Sequence, residues 1–364
     1  MKRRTFLEQG LGLSAGVLTL GLPRAARLAR AAEAKWRTFE VVTRVELADA
    51  SGVSRAWVPV PLMGETDYFR RLGDTWKGNA TAARLLRDEK YDAGFVLAQW
   101  PAGETAPALE ITSRFSARDR FVDLTQPPAG GAREDASVLR KYLQGTQFIP
   151  TDGIVLDTAR QIVKGETSEV GRARAIYEWI VDNTFRDPKV KGCGLGDIRT
   201  LLETRYLGGK CADLNALYVG LARAVGLPAR DVYGVRCADS ATFKSLGKSG
   251  DITKAQHCRA EVHLTGYGWV PVDPADVRKV VLEEPPAGRP LTDPLVQKAR
   301  TNLFGAWEMN WLAYNYAADV RLPGSEGKAV PFLMYPQGET GNERKDSLDP
   351  TTFKYTLTSK EITA

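Results

Sequence analysis

Between Lys210 and Pro228 the chain spells out one helix and its end. Leu214, Leu217, Tyr218, Leu221, Ala222 and Val225 recur at the three- and four-residue spacing that lines one helical face. Gly226 stops the pattern and Pro228 follows two residues later, the order in which helices terminate. Directly afterwards the period changes to two. Val232 to Val235, Cys258 to Leu264 and Trp269 to Val272 read as strands. The 34 glycines and 20 prolines agree with many turns and short strands rather than a helical bundle.

The rest of the 364 residues can be organised around this segment. Phe39, Val41, Val45 and Leu47 alternate with polar residues, as do Leu109, Ile111, Ser113 and Phe115. Trp57 to Pro61 and Phe95 to Leu97 add strands, so residues 35–125 form a β-rich, sandwich-like domain. Gln126 to Ala132 is turn-like and opens a linker over 126–149. Val170, Ala173, Ile176, Tyr177, Ile180 and Val181 share a second helical face, with Ser168 placed as its N-cap. A core is expected over 150–282. A β-rich C-terminal extension, 283–364, has strand patterns at Trp307 to Trp311, Phe332 to Tyr335 and Phe353 to Leu357.

Residues 1–34 read as a leader to be removed. Met1-Lys-Arg-Arg-Thr-Phe-Leu7 precedes a weakly apolar stretch from Gly10 to Pro23, then small residues up to Ala34. The Arg3-Arg4 pair resembles the twin-arginine export motif, which implies a bacterial periplasmic or secreted protein. The whole chain carries a net charge of +6, but residues 1–34 contribute six basic and two acidic groups. The remainder holds 44 basic against 42 acidic residues, with no basic stripe to suit a nucleic acid. No apolar run reaches the roughly 18 to 20 residues of a membrane-spanning helix, so no stable membrane insertion is expected once the leader is cleaved.

The chemistry gathers at three residues. Cys211 follows Gly208-Gly209-Lys210 and opens the helix, where the positive end of the helix dipole favours a thiolate. Histidine occurs only at 257 and 263. His257 begins a strand, Asp273 ends the next, and a tight turn containing Gly266 and Gly268 joins them. In that hairpin His257 can deprotonate the thiol while Asp273 orients the ring.

These segments resemble the bacterial transglutaminase-like superfamily. Gly209-Lys-Cys211-Ala-Asp213 and Leu221-Ala-Arg223-Ala-Val-Gly226-Leu-Pro-Ala-Arg230 are similar to its nucleophile segment. His257, Glu261, Gly268-Trp269-Val270-Pro271 and Asp273-Pro274 follow its second signature, in the order Cys, His, Asp. Arg259 departs from the Trp usual there. The resemblance covers about residues 150–280. It implies an α+β core, with the Cys helix packed on an antiparallel sheet carrying the His and Asp. It also implies an acyl-thioester intermediate formed from an amide. The Cys211 backbone N–H is a candidate oxyanion donor and Tyr206 a candidate second.

Other residues have quieter readings. His263 is expected on the surface and Trp269 in the core. Asp213 and Arg223 read as a structural ion pair, with substrate contacts as the alternative. No C-x-x-C occurs, so neither a zinc site nor any other cofactor is indicated. Cys237 and Cys258 flank the 238–256 loop and are the pair best placed for a disulfide. That loop is either a lid over the cleft or an ordinary solvated connection. Strand alternation makes a further demand: Asp273 reaches His257 only from opposite an odd-numbered residue such as Arg259 or Glu261. The turn must then hold three or five residues centred near Gly266, or else Glu261 or Asp276 takes the orienting role.

The expected function is an exported cysteine enzyme acting on a peptide or amide bond through Cys211, His257 and Asp273, with hydrolysis favoured over cross-linking. The alternative is a non-catalytic cell-envelope binding protein on the same scaffold. The expected partner is a peptide or protein amide of the cell envelope; the sequence leaves oligomeric state open. Replacing Arg3 and Arg4 by Lys should retain the precursor in the cytoplasm, because twin-arginine machinery reads the arginine pair itself. Cell fractionation showing unimpaired export of that variant would overturn the assignment of the route.

Overall fold

The computed structural model describes residues 35–126 and 133–362. The leader expected over residues 1–34 lies outside the described residues, as does the turn-like stretch 127–132. The architecture is α+β: two five-stranded sheets, a four-stranded central sheet and a helical layer.

Both ends of the chain build the first two sheets. One has the strand order Gly250–Asp251, Phe353–Glu361, Arg37–Leu47, Ala108–Ala117, Phe69–Gly78. The other runs Glu343–Arg344, Gln337–Thr340, Ser54–Pro59, Gly94–Trp100, Ala82–Arg87. All pairings are antiparallel. The period-two pattern puts one apolar face on each long strand, and that face serves two neighbours. Val45, Leu47, Leu109 and Ile111 pack against Val58, Val96 and Trp100 of the other sheet. Farther along the same face, Phe39, Val41 and Phe115 pack against Val232, Val235 and Leu312 of the central sheet. The C-terminal segments thus complete the N-terminal sandwich.

The central sheet has the order Gly268–Val272, Gln256–Leu264, Ala229–Arg236, Trp311–Asn315. Helices Gly153–Ile162, Glu169–Asn183, Cys211–Ala224, Pro274–Glu283 and Pro294–Asn302 pack on its other face through Ala260, Val262, Leu264, Val270 and Val272. Ser168 caps the second of these helices, accepting from the Gly171 N–H at 2.9 Å. The helix that begins at Cys211 ends as its sequence predicts. Gly226 takes a left-handed φ of 82°. Its N–H bonds the Arg223 carbonyl, and the Leu227 N–H bonds that of Ala222, satisfying carbonyls the helix leaves open.

Several expectations change. The stretch read as a linker contains the helix Ala136–Lys141, capped by Asp135. Trp307 to Trp311 is two strands, Ala306–Trp307 and Trp311–Asn315. Between them the backbone turns to side chains, with the Glu308 carbonyl accepting from Arg259 and the Met309 N–H donating to Asp119. Of Phe332 to Tyr335 only Phe332 is in a strand, and pairing resumes at Gln337, beyond Pro336, which has no N–H to give. The 238–256 loop is tied down rather than free to open. Its Lys244 and Ser245 N–H groups donate to Glu284, its Leu246 carbonyl accepts from Arg236 and Asn310, and Phe243, Leu246 and Ile252 are buried.

Glu261 fastens the sandwich to the central sheet. It is fully buried and accepts from Arg120 and, at 2.6 Å, from Arg230 Nε, with the Tyr68 hydroxyl at 3.3 Å. Burial opposes its charge, but Arg230 and Arg120 hold the carboxyl below the usual carboxylate range. Tyr68 and Arg120 come from the N-terminal part of the chain, Arg230 and Glu261 from the central sheet. Removing the charge strands two buried guanidinium groups, a class of change that costs about 3–5 kcal/mol. Glu261→Gln should lower the unfolding free energy by about that amount in denaturant titrations; a change within experimental error would show that the cluster holds nothing together.

Candidate active site

The hairpin meets the register that the sequence demands. His263 pairs with Trp269 and Leu264 with Gly268, which leaves Thr265, Gly266 and Tyr267 as a three-residue turn. Gly266 and Gly268 have φ of 80° and 73°, the left-handed geometry that such a turn uses and glycine takes freely. From Ala260 opposite Val272, one more step sets Asp273 opposite Arg259. His257 Nε2 lies 2.8 Å from Asp273 Oδ2, and both residues are buried.

Asp273 has further partners. Its Oδ1 accepts from the Asp276 N–H at 3.0 Å, capping the helix Pro274–Glu283. The same oxygen accepts from Asn215 Nδ2 at 3.2 Å, and Asn215 also donates to the Cys258 carbonyl at 2.8 Å. Asn215 lies four residues after Cys211 and therefore on the same side of the helix. That spacing is the signal by which it could have been found.

Cys211 is the first residue of its helix and is almost fully buried. Asp213 fixes the helix start. Its carboxylate accepts from the N–H groups of Lys210 at 2.9 Å, Leu195 at 3.0 Å and Gly196 at 2.9 Å. The expected Asp213–Arg223 pairing is therefore incorrect: Arg223 donates instead to the carbonyls of Ala229 and Gln144. The Ala212 N–H is bound by the Cys193 carbonyl at 2.9 Å.

Three thiols converge here. Cys193, Cys211 and Cys258 share one buried cluster with Tyr233, Met334 and Tyr335. Hydrogen bonds from the Cys193 and Cys258 thiols, helped by the His257 imidazole, hold the Cys211 thiol well below the ordinary thiol range despite burial. All four cysteines are free, so Cys237 and Cys258, the pair best placed for a bridge, do not form one. The two thiols belong to different cores. Cys237 packs with Ile252 and Trp307 toward the sandwich, whereas Cys258 packs toward the Cys211 helix.

Burial and the Arg236 guanidinium oppose protonation of His257, but Asp276 and Asp273 overcome them and raise the imidazole to about 9. Asp276 Oδ2 is 3.3 Å from His257 Nε2 and its Oδ1 is 2.6 Å from Arg236 Nη2. His257, Asp273 and Asp276 bring three ligand-type atoms within 4.8 Å of one another. Arg236 and Arg259, the latter 3.8 Å from Asp273, already supply positive charge to that cluster, which disfavours a cation. Arg259 stands over Trp311 at 4.8 Å and Trp307 at 5.4 Å, an aromatic seat for the guanidinium.

Other candidates lie elsewhere. Glu261 is engaged with Arg120 and Arg230, leaving Asp273 and Asp276 as the acids at His257. His263 is half buried, edge-on to Trp269. The Tyr206 hydroxyl donates to Asp187 at 2.7 Å.

The family model of the transglutaminase-like superfamily matches residues 156–274, a span containing Cys211, His257 and Asp273. An uncharacterised protein of Haemophilus influenzae is 35% identical over 333 residues, covering 86% of this chain and 88% of that one. Among solved structures, a candidate cysteine protease from Cytophaga hutchinsonii shares the fold with a TM-score of 0.56. It is 13% identical, and the match covers 91% of this chain and 92% of the other. Residues 156–274 are thus a transglutaminase-like superfamily core, set in a chain that has a near-complete relative and shares the overall fold of the Cytophaga hutchinsonii protein.

Proposed function

We propose that the protein is an exported cysteine enzyme that acts on a peptide or amide bond of the cell envelope, with Cys211 as nucleophile, His257 as acid and base, and Asp273 as the group that orients the ring. The observation that carries this reading is the 2.8 Å contact between His257 Nε2 and Asp273 Oδ2 beside a thiol held low at a helix start. Export rests on the twin-arginine resemblance of the leader.

The chemistry follows from the proton positions. With Cys211 low and His257 raised to about 9, the pair stands as thiolate and imidazolium near neutral pH. Asp273 occupies Nε2, which leaves Nδ1 for the reaction. The thiolate attacks the amide carbonyl. The Cys211 N–H, at the first helical position where no intrahelical acceptor exists, is placed to donate to the oxyanion. His257 protonates the departing amine, and an acyl-thioester remains on Cys211. Water then gives its proton to His257 and attacks the thioester, releasing the acid and restoring the thiolate. Water is the default acceptor, which favours hydrolysis over cross-linking.

Comparison of cell-envelope extract treated with the protein or with Cys211→Ala tests this reading by mass spectrometry. Released peptides or acids that appear only with the wild-type protein support it; joined products would move it to cross-linking, and no difference would overturn it. Cys211 should also react with iodoacetamide at neutral pH at least about tenfold faster than Cys193, Cys237 or Cys258, since thiolate fraction sets the rate. Equal rates by peptide mapping would leave no activated nucleophile.

The imidazolium is needed to protonate the leaving group, so kcat/KM on a cleaved peptide should fall as pH rises through about 9. Asp276 helps hold that proton. Asp276→Asn should therefore move the alkaline limb to lower pH, and an unmoved limb would remove Asp276 from the control of His257.

A further inference from the structure

The strand beside the approach to Cys211 and the helix that follows Asp273 each bring a cation to the edge of the site, and the chemistry above uses neither. Phe185–Arg186 pairs in parallel with Gly208–Gly209, which sets Arg186 opposite Gly209, two residues before the thiol. Phe185 and Tyr206, both exposed, pack over Gly208 on the outer face of this ribbon. Arg186 projects from the other face, where its charge acts on the Cys193 thiol in the cluster around Cys211. On the helix Pro274–Glu283, Asp276, Lys279 and Glu283 fall at the three- and four-residue spacing of one face. That face runs outward from the imidazole: the Asp276 side chain, 3.3 Å from His257 Nε2, is 2% exposed, that of Lys279 17% and that of Glu283 39%. Lys279 is therefore about one helical turn, ~5 Å, beyond the acid that touches His257.

The two cations meet at Glu283. Arg186 donates to it through Nε, and Lys279 Nζ lies 3.6 Å from its other oxygen, beyond hydrogen-bond distance. One carboxylate, the most exposed of the three groups, thus stands against two positive charges. The Arg186 side chain is 14% exposed, and its guanidinium makes no other hydrogen bond among the described residues. Nη1 and Nη2 are not among the buried atoms left without a partner, so they are open to solvent with their N–H groups to give. The other charges nearby are already matched: Arg236 holds Asp276, and Asp187 accepts from the Tyr206 hydroxyl and the Lys189 N–H.

We propose that Arg186 and Lys279 dock a carboxylate of the substrate, so that the enzyme selects amides with a free carboxylate one or two residues from the bond presented to Cys211. This specificity rests on Cys211 being the nucleophile. The outer edge of a guanidinium matches the two oxygens of a carboxylate, and charge-assisted hydrogen bonds of this kind are shorter and stronger than neutral ones. Burial and the Arg236 charge hold the Lys279 ammonium below its usual range. An arriving anion offsets that repulsion. Both cations are partly desolvated, so salt screens them less than it screens charges on the open surface.

Two sources could supply the carboxylate: a peptide carboxyl terminus or an acidic side chain. N-chloroacetyl-alanine carries the first and the α-amide of N-chloroacetyl-glutamate the second, and each is compared with its neutral carboxamide twin. Alkylation of Cys211 in the purified protein is followed by peptide mass spectrometry at about 0.15 M salt, where the Debye length of about 8 Å mutes distant charges. One anionic probe should label the wild-type protein about tenfold faster than its twin, a factor equal to about 1.4 kcal/mol, and the favoured probe tells the source. Arg186→Gln should bring that ratio to about one. Dividing by the twin's rate in the same protein cancels any general change in the thiol. Lys279→Gln carries the same expectation and serves if the first variant fails to fold. Lys189→Gln removes an equal charge from an exposed residue of the neighbouring loop and should leave the ratio as it is. A wild-type ratio near one, a preference that survives in either folded variant of the pair, or one that Lys189→Gln lowers equally would overturn the proposal. Failure of every probe to label Cys211 would instead overturn the nucleophile on which it rests.

Discussion

A single buried carboxylate, that of Asp273, ties together the three elements on which the site depends. One oxygen holds the His257 ring at 2.8 Å. The other closes the start of the helix Pro274–Glu283 and accepts from Asn215 on the Cys211 helix. Hairpin, following helix and thiol helix therefore share one anchor. Burial and the neighbouring Asp276 charge raise the Asp273 carboxyl, against the opposing pull of His257. Replacing this group would alter the ring's orientation and helix packing together, so the two effects would be hard to separate by mutation at 273 alone.

The electrostatics around the imidazole follow the same economy. His257 lies between two acids, while Arg236 and Arg259 stand behind those acids and keep the cluster close to neutral. Burying so many charges costs desolvation that only mutual pairing offsets. On the thiol side the neighbours are soft and weak: the Cys193 thiol donates to the Gln256 carbonyl at 3.3 Å, and Cys193 and Cys258 are both pushed up by Cys211 and by burial.

What the sequence made legible was local. The Cys211 helix, its glycine stop, the Ser168 cap and the three-residue turn were readable because each depends on neighbours within a few positions, where period and turn chemistry apply. A meeting of His257 and Asp273 required an odd-numbered turn of three or five residues, and the turn has three. Long-range relations were hidden. Nothing in the spacing of Cys193 shows that its thiol meets Cys211, or in Asp213 that it binds the backbone of Leu195 and Gly196. The state of the cysteines was hidden in the same way: Cys237 and Cys258 flank one loop, yet belong to different cores.

The partner of the first long strand is the last. Residue 37 sits beside residue 361, held by paired hydrogen bonds between Arg37 and Glu361, and the strand Phe353–Glu361 runs the length of Arg37–Leu47. A ribosome delivers those two strands at opposite ends of synthesis. Until the final segment emerges, the edge of Arg37–Leu47 is an open template and the apolar residues Phe353 and Leu357 are missing from their cores. Closing a sheet over so long a loop is a late and slow event. The fold thus carries its own check on completion: a chain cut short near its end lacks the closing strand of the sandwich against which the central sheet is packed.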